Sequence, residues 1–312
     1  MPALEAGEEE ILVGGQAVLE GVMMRSPHAW GIAVRKPSGE MVTHSEPLER
    51  PSEKHPWKGW PFIRGVMTLG HAMALGFKAL KFSANVALDE AQEGEEKKLE
   101  ISGWVAALNI ALSVGFFIFM YKFLPYLGTK SLRTLFPETA NQVVFALVEG
   151  VIRLAIFLAF IYMTSKWNDI RRVYQYHGAE HKTVFAFENK DPLEAATVQR
   201  YSTFHPRCGT SFLMTIMLIS IAVYALVPVR TFWAGFGMRL VLLPFIAGAS
   251  YEVIRYAAKK RSSLFALMTA PGMWLQRITT KAPDDQQVEC AIVALNEAME
   301  LEKQRGGELV LA

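Results

Sequence analysis

Long apolar runs dominate the middle of the chain, between two polar ends. Four of these runs approach the roughly 20 residues that a helix needs to cross the hydrocarbon core of a bilayer. They extend over Ser102–Leu124, Gln142–Met163, Thr210–Pro228 and Gly237–Ala257. The pattern predicts a mainly α-helical integral membrane protein with about four transmembrane helices, and the lipid bilayer is its first expected partner.

A fifth apolar segment, residues 61–88, differs from these four because polar side chains interrupt it throughout. The interrupting residues are Arg64, His71, Lys78 and Lys81. A charged or titratable group near the centre of a bilayer is costly. The pattern therefore favours an amphipathic helix at the membrane interface, and it leaves open whether residues 62–82 insert.

The remaining sequence divides into polar segments around the spans. Residues 1–60 form an N-terminal segment, residues 89–101 a charged linker, and residues 258–312 a C-terminal tail. The four spans occupy residues 102–257, with a polar loop at 164–209. Apolar residues recur in the tail at helical spacing, which predicts an amphipathic helix that packs on the N-terminal segment. This stripe consists of Val288, Ala291, Ile292, Leu295 and Met299.

Two-residue alternation in the N-terminal segment indicates β-structure. Ile32 and Val34 precede a Pro-Ser-Gly turn at residues 37–39, and Met41 and Thr43 follow it. Alternation on both sides of a turn predicts a β-hairpin. The predicted fold class is therefore a four-helix membrane domain with a small mixed α+β cytosolic part that includes an N-terminal β-hairpin.

Lysine and arginine are unevenly distributed among the connecting segments. Two lie between the first and second spans, seven between the second and third, and eight from the end of the fourth span onward. Basic residues accumulate on the cytosolic side of membrane proteins. We therefore expect both termini and the central loop to face the cytosol, in a multi-pass protein of the cell inner (plasma) membrane. The acidic start MPALEAGEEE does not resemble a cleavable signal, so insertion is expected to depend on the internal spans.

Composition excludes several other classes of function. The net charge of +2 provides no broad cationic field, so no nucleic-acid partner is expected. Cys208 and Cys290 are too few for a disulfide framework. The sequence also lacks the phosphate-binding loop, the nucleophile elbow and the dinucleotide fingerprint. ATP hydrolysis, an α/β-hydrolase triad and a Rossmann-type site therefore lack their usual motifs.

The motif YHGAEHK contains the most specific chemical signal. His177 and His181 lie four residues apart, with Glu180 between them, so all three crowd one face of a helix. Two imidazoles at this spacing can share one metal ion, and a carboxylate beside them can act on a bound water. The order H-x-x-E-H is that of the inverted zincins. The same helical face also suits histidines that only pack in a hydrophobic core, and this alternative stays open.

A second motif, FHPRCGTSF, directly precedes the third span. His205 and Cys208 form an H-x-x-C pair, and zinc accepts both donors. Together with His177 and His181 they would complete a closed, structural site, whereas three of the four ligands would leave a catalytic water position. Zinc is the metal expected. A Gly-Pro loop that only leads into a membrane helix remains the alternative.

Charged residues inside the spans form a third candidate. Glu149 and Arg153 lie four apart in the second span, in the order that favours an ion pair. The pair is either part of a substrate or ion path or a self-neutralised pair that fixes helix packing, and the second interpretation is favoured. Glu252, near the end of the fourth span, is a possible additional ligand for a metal at His177 and His181.

Four segments together resemble a known family. VGGQAVLEGVMMRSP, YHGAEHKTVFAFE, HPRCGTSFL and ITTKAPDDQQVECAI are similar to signature segments of the YqhQ-like bacterial membrane proteins, and the resemblance covers residues 13–295. That family is catalogued as a domain of unknown function, and it is sometimes labelled a family of predicted metal-dependent enzymes. The label implies that the metal region contains His177, Glu180, His181, His205 and Cys208.

Three functions follow from these features. The first is a metal-dependent hydrolase of unknown substrate, in which Glu180 is the general base. The second is a non-enzymatic scaffold or assembly factor that docks a membrane-protein or cytosolic partner through its polar ends. The third is a small-solute transporter that uses Glu149 and Arg153, and it is disfavoured because no internal repeat is visible.

Overall fold

The computed structural model describes residues 12–48, 56–91, 103–227, 232–260 and 263–304. Most of the predicted charged linker lies outside the described residues, as do the first eleven residues of the predicted N-terminal segment. Within the described ranges, a small β-sheet near the N-terminus is followed by a succession of helices. The fold class predicted from the sequence is confirmed.

The sheet is an antiparallel meander in the order β1-β2-β3-β4. Its strands are β1 (Gly14–Val18), β2 (Gly21–Arg25), β3 (Ala29–Arg35) and β4 (Met41–Pro47). Short turns connect them, and each strand pairs with its neighbour in sequence. The strand pairing within the sheet is therefore local in sequence.

The hairpin predicted around residues 37–39 is the β3–β4 pair. Arg35 lies opposite Met41 at the end of the ladder, so the turn falls between them. Gly39 in this turn has φ of +89°, in the left-handed region that glycine adopts without steric cost. The turn residues and the alternation on either side thus predicted this hairpin correctly.

The helices follow the sheet in the order α1 to α10. They are α1 (Ile63–Ala91), α2 (Gly103–Ile118), α3 (Leu124–Leu132), α4 (Gln142–Thr164), α5 (Asn168–Glu188), α6 (Ala195–Val198), α7 (Gly209–Leu226), α8 (Phe232–Lys260), α9 (Ser263–Thr279) and α10 (Asp285–Gln304). A π-helical turn, Phe119–Phe123, joins α2 to α3 into one continuous rod.

Four stretches are long and apolar enough to cross a membrane, as predicted. They are Ala111–Leu132, Gln142–Thr164, Gly209–Leu226 and Trp233–Tyr256. The first differs from the predicted Ser102–Leu124, because the rod continues to Leu132. Lys122 is buried, so its charge does not mark a helix end, and the rod continues through it. Residues 61–88 do form a helix, α1, which is not among the four stretches and continues to Ala91. Its place at the membrane interface stays a prediction.

The sheet lies between two helical layers because its side chains alternate between its faces. One face packs on α5 and α10, and the five residues of the predicted C-terminal stripe are all buried there or at its margin. The opposite face packs on α1, where Leu75, Ala79 and Val86 meet Trp30 and Ile32. We call the sheet together with α1, α5 and α10 the sheet domain.

The junction between the sheet domain and the spans positions the candidate site. Helix α4 ends at Thr164 and α5 begins at Asn168, so the chain passes almost directly from a span into the sheet domain. It returns through the loop that ends at Cys208, where α7 begins. Helix α9 packs along α7 and leads back to α10.

Candidate metal centre

Three of the four predicted metal ligands meet at this junction. One donor atom each from His177, His181 and Cys208 lies within 4.8 Å of the other two. The histidines are one turn apart on α5, with ring centroids 4.4 Å apart. Cys208 comes from the N-cap of α7, and its Sγ lies 3.2 Å from His177 Nε2.

Backbone carbonyls fix the orientation of both imidazole rings. His177 Nδ1 lies 2.8 Å from the carbonyl oxygen of Thr279, and His181 Nδ1 lies 2.5 Å from that of Thr203. A carbonyl only accepts, so both Nδ1 atoms donate and each ring presents the lone pair of its Nε2. Metal-binding histidines are held in this way. His181 Nε2 is buried and makes no hydrogen bond within the described part of the chain.

The Thr279 carbonyl reaches His177 because the backbone at the end of α9 approaches α5 closely. The N–H of Lys281 donates to the carbonyl of Tyr174 at 2.8 Å, which brings the end of α9 onto α5. A Cβ at Gly178 would lie only 2.1 Å from the Lys281 carbonyl oxygen. Glycine at this position therefore permits the crossing.

Glu180 faces the same space. A cavity of about 470 Å³ is lined by Glu180, His177, His181 and Cys208, together with residues of β1, β2 and α1. The carboxylate is buried and accepts a hydrogen bond from the backbone N–H of Gly15. Burial raises the pKa of Glu180 above its ordinary value, against the opposing effect of the neighbouring histidines and of that N–H. The sequence motif and the cavity thus place a basic carboxylate beside the three donors.

His205, the fourth predicted ligand, is oriented differently. Its Nδ1 accepts from the N–H of Arg207 at 3.3 Å, and its Nε2 lies 3.6 Å from a carboxylate oxygen of Glu188. Gln276 holds the backbone of His205 on both sides, with hydrogen bonds of 2.8 Å to its N–H and its carbonyl. Burial lowers the pKa of His205 to about 4. The residue lines the cavity, with its ring centroid 5.7 Å from that of His181, but it does not belong to the group of donors that lie within 4.8 Å of one another.

Glu252, considered as an additional ligand, lies elsewhere. Its two carboxylate oxygens contact the Arg64 guanidinium, with a distance of 2.7 Å from Arg64 Nε to Oε1, and the N–H of Phe62 lies 3.4 Å away. Helix α1 packs against α8 and supplies this arginine. The carboxylate therefore joins α1 to α8 and does not reach the histidines.

Glu149 and Arg153 make the contact that their spacing indicates, at 3.1 Å. They do not form an isolated pair, however. Arg239 from α8 donates to both oxygens of the Glu149 carboxylate, at 2.6 Å each. The self-neutralised pair favoured by the sequence is thus part of a larger group.

The donor set fits zinc. Two neutral imidazoles and one thiolate are zinc ligands, and three protein ligands beside a cavity leave the fourth position open, as in catalytic zinc sites. Burial lowers the pKa of His181, which favours the neutral ring that a metal needs, although the neighbouring Cys208 side chain opposes this shift. The unpartnered Nε2 of His181 is the buried lone pair that a metal would occupy.

Sequence reasoning missed the residues that hold the ligands in place. Thr203 and Thr279 act through backbone carbonyls, which any residue type possesses, so the sequence carries no signal for them. Gln276 is a fully buried amide within an apolar stretch of α9, and this isolated polar position was a detectable signal. Gly15 contributes only its N–H.

Comparisons with known proteins agree with the resemblance. A family model described as a protein of unknown function (DUF1385) matches residues 60–301. A protein of Bacillus subtilis (strain 168), described as uncharacterized protein YqhQ, is 36% identical over 299 residues, which cover 93% of this chain and 92% of that protein. No solved structure matches the chain.

Proposed function

This chain belongs to the DUF1385 family, and we propose that it is a membrane-bound, metal-dependent hydrolase. In this proposal His177, His181 and Cys208 hold one divalent transition metal ion, zinc by preference, and Glu180 is the general base. The lipid bilayer, which the four apolar helices imply, brings this site close to membrane-borne substrates.

One observation carries the proposal. The two imidazoles donate through Nδ1 to backbone carbonyls, so each presents the lone pair of its Nε2, and one donor atom each from His177, His181 and Cys208 lies within 4.8 Å of the other two. Histidines that only pack in a core need no such arrangement, and burying His181 Nε2 without a partner would cost free energy. A bound cation removes this cost.

The reaction that suits these residues is attack of water on a polarised bond. When bound, zinc supplies Lewis acidity and increases the acidity of a coordinated water. The Glu180 carboxylate takes the proton from the attacking water and delivers it to the leaving group. The Gly15 N–H holds that carboxylate in the cavity.

The distribution of basic residues supports a cytosolic position for this site. Its ligands lie in or beside the connection between the second and third spans, which carries seven lysines and arginines. By the positive-inside rule this connection and both termini face the cytosol. We propose that the substrate presents its scissile bond, in a lipid-linked group or a peptide, at the cytosolic surface of the inner membrane.

The test combines metal content with hydrolysis by the full-length, detergent-purified chain. We expect about one zinc per chain in the unmodified protein and in Glu180→Gln, and none in a His177→Ala/His181→Ala variant. Hydrolysis of a panel of fluorogenic ester, phosphodiester and peptide substrates should fall at least about 100-fold in Glu180→Gln.

Two results would contradict the proposal in different ways. A chain that binds no metal even after reconstitution with zinc removes the metal centre itself. A chain that binds zinc, with any hydrolysis equal in the unmodified protein and in Glu180→Gln, leaves the metal structural and favours the scaffold or assembly factor.

A further inference from the structure

A second polar cluster lies inside the membrane-spanning bundle. The Glu149 carboxylate is buried and contacts Arg153 at 3.1 Å and Arg239 at 2.6 Å. Both guanidinium groups also lie over the ring of Tyr224, at 5.7 and 5.0 Å from its centroid. One carboxylate thus joins cations from α4 and α8 beside an aromatic ring from α7.

Lys122 adds a third cation. It is buried, and its charge interacts with those of Glu149, Arg153 and Arg239. The π-helical turn Phe119–Phe123 carries this lysine. Turns of this kind are rare and occur frequently at functional sites, because they redirect a side chain from the regular helical face.

The cluster carries an excess of positive charge. Three basic side chains surround one carboxylate, and the four apolar stretches contain only one other acidic residue, Glu252. Glu252 lies near the opposite end of α8 and contacts Arg64. Charged side chains within a bilayer are costly and are generally retained for function.

The cluster is not completely enclosed. The side chains of Arg153 and Arg239 are 12% and 19% exposed. Exposed apolar residues lie beside the cluster in sequence, since Phe123 follows Lys122 and Leu240 follows Arg239. A ligand can therefore approach the remaining guanidinium N–H groups from the bilayer, with its apolar part lying against these side chains.

We propose that Lys122, Arg153 and Arg239 bind a phosphate-type anion. Guanidinium groups match the oxygens of phosphate, and basic pockets between membrane helices bind anionic headgroups. The anion is supplied either by an anionic phospholipid or by free inorganic phosphate. Glu149 holds both arginines in position for it. The site is separate from the metal centre and does not depend on the hydrolase proposal.

The test compares Lys122→Met with Lys130→Met in the full-length protein. Lys130 is an exposed lysine in the same helical rod, so the control removes the same charge outside the cluster. Thermal unfolding in a neutral detergent is measured with phosphatidylglycerol, with phosphatidylcholine, and with inorganic phosphate against chloride at equal ionic strength.

We expect one anion to raise the unfolding temperature, and Lys122→Met to weaken its apparent affinity about tenfold or more, a loss of about 1.4 kcal/mol. Lys130→Met and the charge-preserving Lys122→Arg should remain close to the unmodified protein. A selective effect of phosphatidylglycerol identifies a lipid headgroup as the source, and an effect of inorganic phosphate identifies the free anion.

The proposal is overturned if neither anion stabilises the protein, or if Lys122→Met and Lys130→Met respond equally. If Lys122→Met does not fold, native mass spectrometry of the unmodified protein decides. In an equimolar mixture the protein should retain phosphatidylglycerol in preference to phosphatidylcholine or, if the anion is free, retain phosphate adducts. Retention of neither contradicts the site.

Discussion

The candidate metal centre and the intramembrane cluster are built on the same local arrangement of residues, but they suit ligands of opposite charge. Each is built on two polar residues one helical turn apart, His177 and His181 on α5, and Glu149 and Arg153 on α4. In the first, backbone carbonyls occupy the donors of the rings and leave lone pairs, which suit a cation. In the second, one carboxylate is shared among basic groups and leaves N–H donors, which suit an anion.

The difference indicates that a pair of residues at helical spacing does not by itself determine which ligand it suits. Residues from distant segments make the difference. Cys208 adds a soft donor to the histidines, whereas Arg239 and Lys122 add charge to the ion pair. Variants that remove a residue from one cluster should therefore leave the other intact, and this independence can be tested.

Removal of the shared carboxylate should have the largest effect on stability. Glu149→Gln leaves three basic side chains in the bundle without their anion. Breaking a buried ion pair by removing one partner typically costs about 3–5 kcal/mol. We expect a loss of this size in the free energy of unfolding in detergent, with the zinc content of the folded fraction unchanged.

The matched control for Glu149→Gln is Glu252→Gln. This glutamate also lies in an apolar stretch and contacts an arginine, but its side chain is 22% exposed. A partly exposed pair contributes little, about 0–1 kcal/mol. Equal losses in the two variants would show that the cluster around Glu149 has no special electrostatic role.

An added methyl group at Gly178 should damage the metal centre alone. Its Cβ would meet the Lys281 carbonyl oxygen at 2.1 Å, and backbone at this contact cannot turn aside as a side chain does. Overpacking of this kind costs about 1–3 kcal/mol. Gly178→Ala should reduce zinc binding, because Thr279, which orients His177, moves with the same segment.

The comparison variant is Gly70→Ala in α1, where an added Cβ meets nothing within 4 Å. This change should be neutral or slightly stabilising, since alanine favours a helix. Zinc content in Gly178→Ala equal to that of Gly70→Ala would show that the crossing of α9 over α5 does not hold the ligands.

Acid should affect the sheet domain through Glu302, with a smaller effect. This carboxylate accepts from Ser26 at 2.7 Å and from the N–H of His28 at 2.8 Å. Burial alone would raise its pKa, but these hydrogen bonds outweigh burial and lower it. A lowered pKa in the folded state means that stability is complete above the unfolded value, near about 4.3, and is lost as pH falls through the folded value.

Glu302→Gln should therefore flatten the pH dependence below about pH 5, by roughly 1–2 kcal/mol. Hydrogen exchange of amides in β2, β3 and α10 measures this difference. Glu289→Gln is the control, since that carboxylate is 54% exposed and pairs with Arg35. If the two variants had identical pH profiles, Glu302 would not act as a clamp between α10 and the sheet.

The sequence predicted features that depend on neighbouring residues and missed those that depend on distant ones. The β3–β4 hairpin, the four spans and the His177–His181 pair all follow from local alternation, length or spacing. The structure continues the helical rod of the first span to Leu132, beyond the predicted end near Leu124. Only the packing of other helices shows that Lys122 in this rod is buried and that its charge interacts with that of Glu149.

The same reason explains why the sequence could not distinguish between two of the candidate ligands. His205 and Cys208 share a loop and were equally plausible ligands. The structure separates them because Gln276, from α9, fixes the backbone at His205, while Cys208 caps α7 and points to the histidines. Spacing within a motif cannot encode a contact with a helix about 70 residues further along the chain.

X-ray absorption at the zinc edge of the purified protein is the most direct measurement of the metal centre. We predict a zinc shell with one sulfur at about 2.3 Å and histidine nitrogens at about 2.0–2.1 Å. The sulfur signal should disappear in Cys208→Ser and persist in Glu149→Gln. A protein without zinc, or a shell of nitrogen and oxygen alone in the unmodified chain, would contradict the assignment of His177, His181 and Cys208 as ligands.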